Sequence, residues 1–572
     1  MKTSRGRPPR LGHVTVRLRV VPKNAVAFIL PILPILPSCL AVAAAVAVVL
    51  VPSPRPLSQA FVSIRSVAGL ILASCVVACG KPSTPGPLSS SVLITNATVI
   101  DGTGSPSRRA SVRIEGTRIA AVGELSPRTG EKTVDAAGLV LAPGFIDTHT
   151  HGDGGLDDRP DALAVVSQGI TTIIGGQDGG SPIPLSAYFA SLEKDRAAVN
   201  VGMYAGHGSI RDSVLGTDFK RVATAAEVAR MSAILSTEMQ AGAFGLSTGL
   251  EYDPGIYSDR AEVIALAKVA SSFGGRYISH IRSEDYAFWQ AIDEIITIGR
   301  EAKLPVQISH AKLAMRSLWG HADSLVRLLD AARASGVDIT ADIYPYLYWH
   351  STLTVLFPKR DFENRTAAEF ALTETSTPAG LLLGRYEPNP AYAGKTVAEI
   401  AKLRGTDSVT TLIELIRESE AMRQRTGRST QSVIGTSMVE SDVEKIMQWP
   451  HTNLSTDGAL NGPHPRGFGA FPRYLGVYVR ERKILSLEEA VRRMTSLAAA
   501  HMGIRDRGRI VPGMYADLVL FDPATVLDRA TPQEPHLTSV GISRVWVNGT
   551  EVFADSKTTG ARPGMIIKRP PK

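Results

Sequence analysis

After Cys79 this chain of 572 residues contains no cysteine. Its three cysteines, Cys39, Cys75 and Cys79, all fall near the start. The rest of the chain therefore has no disulfide framework, no Cys-based zinc site and no thiol nucleophile. Acidic residues are missing from the beginning: residues 1–100 hold ten Lys and Arg and no Asp or Glu, and Asp101 is the first acid. The other 472 residues carry 52 basic and 54 acidic side chains, so the formal charge of +8 is a leader of +10 on a body of −2. A body without basic excess argues against nucleic acid as a partner, which needs a positive patch on the folded domain. With 44% hydrophobic and 20% charged residues the body reads as an ordinary globular protein. Its length suits one large domain and a smaller one.

The leader, residues 1–90, has the order of a targeting segment. Residues 1–24 contain seven Lys and Arg, and residues 25–51 are uncharged and largely apolar. That run is long enough to span a bilayer, although Pro31, Pro34 and Pro37 break its first half. Arg65 then precedes a second apolar stretch that ends in Leu72-Ala73-Ser74-Cys75 and Val76-Val77-Ala78-Cys79. Both tetrapeptides resemble the signal of a bacterial lipoprotein, and the Gly-, Pro- and Ser-rich residues 80–87 read as a tether. The expectation is an exported protein, periplasmic or on the cell surface, anchored to the membrane through a lipid on Cys75 or Cys79. The oligomeric state is not legible.

From residue 91 short alternating strands come first, at 91–100, 111–114 and 118–122. Apolar, β-rich runs then alternate with amphipathic helical stretches. The runs lie at 170–174, 201–205, 242–247, 277–279, 306–309, 338–342 and 451–455. The helices are expected at 185–197, 225–240, 260–273, 288–302 and 317–335. About eight such units predict an α/β fold of the (β/α)₈ TIM-like type over 146–504. Residues from about 357 to 432 have helical segments but no barrel-strand run, which predicts an insertion. After a helix expected at 487–501, short strands return at 518–521 and 545–547. Residues 91–145 and 505–567 are expected to form one small β-domain, with 568–572 a tail.

Phe145-Ile146-Asp147-Thr148-His149-Thr150-His151 holds the strongest chemical signal. Residues i and i+2 of a strand point to one side, so His149 and His151 at a strand's end face the barrel mouth together. Two neutral imidazoles so placed suit a zinc-like ion. His280, His310 and Asp457 each follow an apolar run, at the strand ends where such barrels place their chemistry.

With these residues the chain resembles the amidohydrolase superfamily, and within it the N-acyl-D-amino-acid deacylases (D-aminoacylases). The resemblance runs from about 91 to 567. It includes Gly245-Leu246-Ser247-Thr248-Gly249-Leu250-Glu251-Tyr252, Ser279-His280-Ile281-Arg282, Ile308-Ser309-His310-Ala311-Lys312, Ala341-Asp342-Ile343-Tyr344-Pro345-Tyr346 and Pro463-His464-Pro465-Arg466. It implies a metal-dependent hydrolase barrel, a β-sandwich built from both ends of the body, and one or two Zn²⁺ ions. It also implies hydrolysis of N-acyl-D-amino acids to a carboxylate and a free D-amino acid. His149, His151, Asp178, His280 and His310 would hold the metal, and Asp457 would act as the catalytic acid–base. Lys312, Tyr344 and Arg466 would bind the free carboxylate of a small-molecule substrate. In one place the chain departs from the family. Where the family has Cys in an Asn-Cys-Gly turn, this chain reads Gly176-Gln177-Asp178-Gly179. A carboxylate is a harder ligand than a thiolate, which admits other divalent metals.

Other readings remain open at this level. A dipeptidase acting on peptides with a C-terminal D-residue shares the same machinery, and a non-catalytic binding lipoprotein shares the fold. A hydantoinase-like enzyme fits less well, because Lys312, Arg466 and Tyr344 imply a free carboxylate. His207 reads equally as a site residue or as a loop histidine bonded to backbone, and His464 is a candidate for positioning the site. His321, His350, His501 and His536 have no motif context.

Overall fold

A computed structural model describes residues 91–570, so the leader cysteines Cys75 and Cys79 lie outside the described residues. The centre is a parallel barrel. Its strands are Phe145–Asp147, Ile170–Gly175, Asn200–Met203 (continued by Ala205–Gly206), Gly245–Gly249, Arg276–His280, Val306–Ile308, Ile339–Ile343 and Thr452–Leu454. Neighbours pair in parallel in that order. The ring closes just past the strand ends, where Asp457 N donates to His149 O and His151 N donates to Gly458 O, each at 2.9 Å. Asp147, fully buried, clamps the same seam by accepting from Thr456 N at 3.0 Å and from Thr456 Oγ1 at 2.5 Å.

Helices between the strands cover the barrel. Phe288–Ala302 is one of them, and Ile292, Ile295, Ile296 and Ile298 bury its apolar stripe. The helix expected at 487–501 is two helices, Leu487–Met494 and Ser496–Met502. At Thr495 φ is −132° and ψ is −89°, outside the helical range, and Thr495 Oγ1 donates to Val491 O at 2.6 Å.

The two ends of the body share one nine-stranded sheet, in which Val140–Pro143 joins the strands near residue 91 to Leu518–Phe521. Alternation divides this sheet's two faces. Leu518 and Leu520 pack into the small domain's own core with Leu141 and Trp546, while Val519 and Phe521 join the barrel core. The Phe521 ring lies 6.2 Å from that of Phe145 on the first barrel strand. Burial of such a side chain is worth roughly 2–3 kcal/mol. After that sheet, residues 564–569 run along the barrel: Val201 N donates to Met565 O, and Arg569 N donates to Gly242 O at 3.0 Å.

The insertion is larger than expected and is not purely helical. A three-stranded antiparallel sheet of Tyr348–Ser351, Gln431–Thr436 and Leu381–Tyr386 frames it, so the unit spans 348–436 rather than 357–432. Its first strand, Tyr-Trp-His-Ser, is half-buried and lacks the apolar run by which barrel strands are recognised. Three helices pack on the sheet around Leu353, Phe357, Leu383, Leu412 and Ile416. One of them, Val397–Arg404, opens with the capping box of Thr396 and Glu399 and ends on Gly405 at a φ of 66°.

Candidate metal centre

Parallel register brings the histidines together. Gly249 pairs with His280 and Ser279 with Ile308, so His280 and His310 leave adjacent strands at one level. His149 and His151 arrive from the closing seam. Ring centroids are 5.7 Å apart for His149 and His151, 5.0 Å for His149 and His310, and 4.7 Å for His280 and His310. Asp178 enters between them from a tight turn. At Gly176 a side chain would bring its Cβ to 2.2 Å from Tyr204 O, so that position requires glycine. Asp178 itself has φ 51°, His310 35° and Asp457 49°. Left-handed backbone at a non-glycine residue costs of order 1–3 kcal/mol, and here it falls on three site residues.

Three groups of candidate ligands result; one is Glu251, His280 and Glu284, and the other two share Asp178. The ligand atoms of His149, His151, Asp178 and Asp457 lie within 4.8 Å of one another, and so do those of Asp178, His280 and His310. Asp178 belongs to both. Its Oδ1 is 3.4 Å from His149 Nε2 and 3.7 Å from His310 Nε2, and its Oδ2 is 3.4 Å from His151 Nε2. Asp457 Oδ1 lies 3.2 Å from His151 Nε2. His149 Nε2 and Asp178 Oδ1 are buried with no hydrogen-bond partner. Such orphaned atoms are costly unless a ligand satisfies them, and nitrogen and carboxylate donors at this spacing suit Zn²⁺ or a related divalent ion. Electrostatics agree. Burial pushes the Asp178 and Asp457 carboxyls up, but neighbouring imidazoles, and Arg466 for Asp457, outweigh it and hold both below the usual carboxylate range. Burial likewise opposes a charge on His151, yet Asp178 and Asp457 raise that imidazole to about 9. A divalent cation would take over this charge balance and displace those protons.

Outer residues brace the ligands. Glu251 Oε2 lies 2.8 Å from His280 Nε2, leaving His280 Nδ1 toward His310 Nε2 at 3.0 Å. Glu284 Oε1 is 3.1 Å from His310 Nδ1 and forms an ion pair with Lys312. Lys312 Nζ also donates to His310 Nδ1 at 2.7 Å. Asp342 Oδ1 accepts from His310 N and Ser455 Oγ, both at 2.8 Å, and stands 3.6 Å from His149 Nδ1. Carboxylates behind imidazoles fix ring orientation and tautomer. None of Glu251, Glu284 and Asp342 was singled out from sequence. Asp342, an acid within the apolar strand Ile339–Ile343, carried a usable signal.

Asp457 Oδ2 pairs with Arg466 Nη1 at 2.7 Å, and the Arg466 guanidinium lies 4.7 Å from the centre of the Tyr344 ring. Arg466 Nε and Tyr344 OH are both buried without partners. Lys312, expected to share their role, lines the same pocket and pairs with Glu284. The pocket above the ligands is lined by these residues, by Glu251, Glu284 and Asp285, and by Trp349, His350 and Leu356 of the insertion. His464 is not among the residues lining this pocket: its Nε2 bonds Tyr348 O at 2.9 Å and its Nδ1 accepts from Arg466 N at 3.0 Å. His207 lies in a separate buried cluster with Glu262, at 2.8 Å, and Arg211. His350, unassigned from sequence, reaches the pocket because the insertion strand carries it there.

Comparison with known proteins supplies the family. The model described as "Amidohydrolase family" matches residues 132–373 and 365–553. An N-acyl-D-glutamate deacylase of Alcaligenes xylosoxydans xylosoxydans is 38% identical over 502 residues, 84% of this chain and 96% of that protein. A D-aminoacylase of the same organism is 35% identical over 508 residues, 84% and 97% of the two chains. Among solved structures, a D-aminoacylase superposes with a TM-score of 0.75 at 35% identity, covering 84% of this chain and all of the other. The N-acyl-D-glutamate deacylase of Bordetella bronchiseptica, solved with zinc and a phosphonate mimic of the tetrahedral intermediate, gives 0.74 at 36% identity over 83% and 99% of the chains. The barrel, the histidine-lined mouth and these matches together make the chain a member of the amidohydrolase family, in the branch of the N-acyl-D-amino-acid deacylases.

Proposed function

We propose that the protein hydrolyses the amide bond of N-acyl-D-amino acids. The observation that carries this reading is the pairing of Asp457 with Arg466 beside two unsatisfied buried donors, Arg466 Nε and Tyr344 OH. Zinc held by His149, His151, Asp178, His280 and His310 would supply Lewis acidity toward the amide carbonyl and toward water. Asp457 Oδ1 takes the proton from the attacking water and returns it to the departing nitrogen. Held well below the usual carboxylate range, Asp457 enters the reaction ionised. The substrate's α-carboxylate accepts from Arg466 Nε and Tyr344 OH, an arrangement that orients the scissile bond over Asp457. Selection of the D-isomer follows from the activities for which the relatives are named. The test is a kcat/KM panel of N-acyl-D-amino acids, their L-isomers and dipeptides, with metal content measured. Equal turnover of L-isomers, or no turnover by metal-loaded protein, would sink the reading.

One observation favours a second substrate class. Glu251, Glu284 and Asp285 line the same pocket; Lys312 neutralises Glu284, Glu251 is bonded to the His280 imidazole and Asp285 has no ion-pair partner among the described residues, so three acids there face one lysine. Such a wall disfavours an acidic side chain and accommodates the ammonium group of a dipeptide with a C-terminal D-residue. Export as a lipoprotein through Cys75 or Cys79 stays part of the proposal, supported by the order of charge and apolar residues in the leader. Mass spectrometry of the mature N-terminus tests it; an unmodified Met1 would end it.

A further inference from the structure

At the end of the barrel where the strands begin, opposite the metal centre, lies a cleft of about 1070 Å³. Arg276, Arg492, Arg505, Arg507, Arg509 and Arg569 line it, and no Asp or Glu does. Two of the six are neutralised from behind: Arg507 by buried Asp517, and Arg492 by Glu489 at 2.6 Å. Exposed Asp506 also lies 3.9 Å from Arg507 Nε. Among the described residues the other four have no carboxylate partner. Arg276 donates to Ala500 O at 3.3 Å, a backbone carbonyl at the end of the helix Ser496–Met502. Arg569 reaches the carbonyls of Phe273, Pro570 and Met239, and its Nε is buried with no acceptor. Burial lowers the proton affinity of both Arg276 and Arg569; at Arg276 the charges of Tyr204 and Asp338 oppose this and do not outweigh it. Arg505 and Arg509 are exposed.

On a body whose net charge is −2, four unmatched guanidiniums around one concavity are a marked segregation of charge. Arg276 and Arg569 also hold carbonyls at helix ends, whereas Arg505 and Arg509 are exposed, and a cleft focuses the field of all four toward an incoming anion. Guanidinium forks match phosphate oxygens in geometry, and several converging forks suit a group with more than one ionised oxygen.

We propose that this cleft binds a phosphate-bearing anion, either the headgroup of an anionic phospholipid or a soluble phosphate ester. The site is separate from the hydrolytic one. Arg276 and His280 open and close the same strand, Arg276–His280, roughly 13 Å apart at the usual rise per residue. A lipid held here would leave the metal centre facing away from the bilayer.

The experiment compares the full chain with its R505Q/R509Q variant, and with R276M as a second variant. The leader is common to all three, so its own charge cancels from the comparison. Melting temperature verifies folding. One arm titrates inorganic pyrophosphate by calorimetry; the other sediments the proteins with phosphatidylglycerol or phosphatidylcholine vesicles at two salt concentrations. Weakening of pyrophosphate binding by roughly tenfold or more in the variants supports a soluble phosphate ligand. A similar loss confined to phosphatidylglycerol vesicles, and diminished by salt, supports the lipid headgroup. Equal binding of both probes by the parent and both folded variants overturns the proposal.

Discussion

The two metal clusters share Asp178 but sit in opposite surroundings. Beside the cluster of His149, His151 and Asp457 stand Arg466 and Tyr344, with donors left unsatisfied. Behind the cluster of His280 and His310 stand Glu251 and Glu284, with Asp285 on the pocket wall. On the proposed reading, one side receives a carboxylate and moves a proton. The other holds two imidazoles in place and repels negative charge. A substrate bound as proposed would meet a polarity, its own carboxylate toward Arg466 and its uncharged or cationic part toward the glutamates.

The sharpest way to break this division of labour is Asp457→Asn. Turnover should fall about 10³-fold, within the range for loss of a general base. Metal at the His280 and His310 cluster should remain, as elemental analysis of the purified variant would show. Loss of that ion as well would mean that the two sides are not separable. Glu251→Gln attacks the other side. It should weaken zinc binding at the second cluster by roughly 10- to 100-fold, the usual consequence of removing a carboxylate behind a ligating histidine. A chelator competition assay measures this directly, independently of activity.

Arg466→Met should lower kcat/KM for an N-acyl-D-amino acid about 10- to 100-fold, the worth of a charged hydrogen bond. The methyl ester of the same substrate should lose much less; equal losses would remove Arg466 as the carboxylate receptor. The smallest effect concerns pH. Burial and the charge of Glu251 push Asp285 up to about 7, so it is neutral below that pH and ionised above it. The preference for a neutral over an acidic substrate side chain should therefore rise about 2- to 5-fold from about pH 6 to about pH 8. An unchanged ratio in Asp285→Asn would confirm the source.

Much of the first side is legible in the sequence, because strand ends announce themselves. His149 and His151 are two apart on an apolar run, and His280, His310 and Asp457 each close one. Glu251 lies inside one motif and Glu284 two residues after another, yet neither has a role until folding sets it against an imidazole from a different segment. No spacing reveals that Lys312 is matched by Glu284. The insertion hides for a related reason: the strand Tyr348–Ser351 gains its partner from residues about 80 positions later, and half-buried antiparallel strands leave no continuous apolar run. The break at Thr495 is likewise invisible to helical periodicity, which continues through it.

A single carboxylate standing between two groups of imidazoles also has a thermodynamic consequence. Whatever the first ion does to Asp178, by drawing off its charge or fixing its orientation, changes the affinity for the second ion, and linkage makes that influence reciprocal. Zinc titration should therefore follow a curve with two interdependent constants rather than two copies of one. Asp178→Cys, which supplies a softer ligand, should raise zinc affinity and shift both constants together. Asp178, shared by both groups of ligands, is thus the residue through which two bound ions would sense each other.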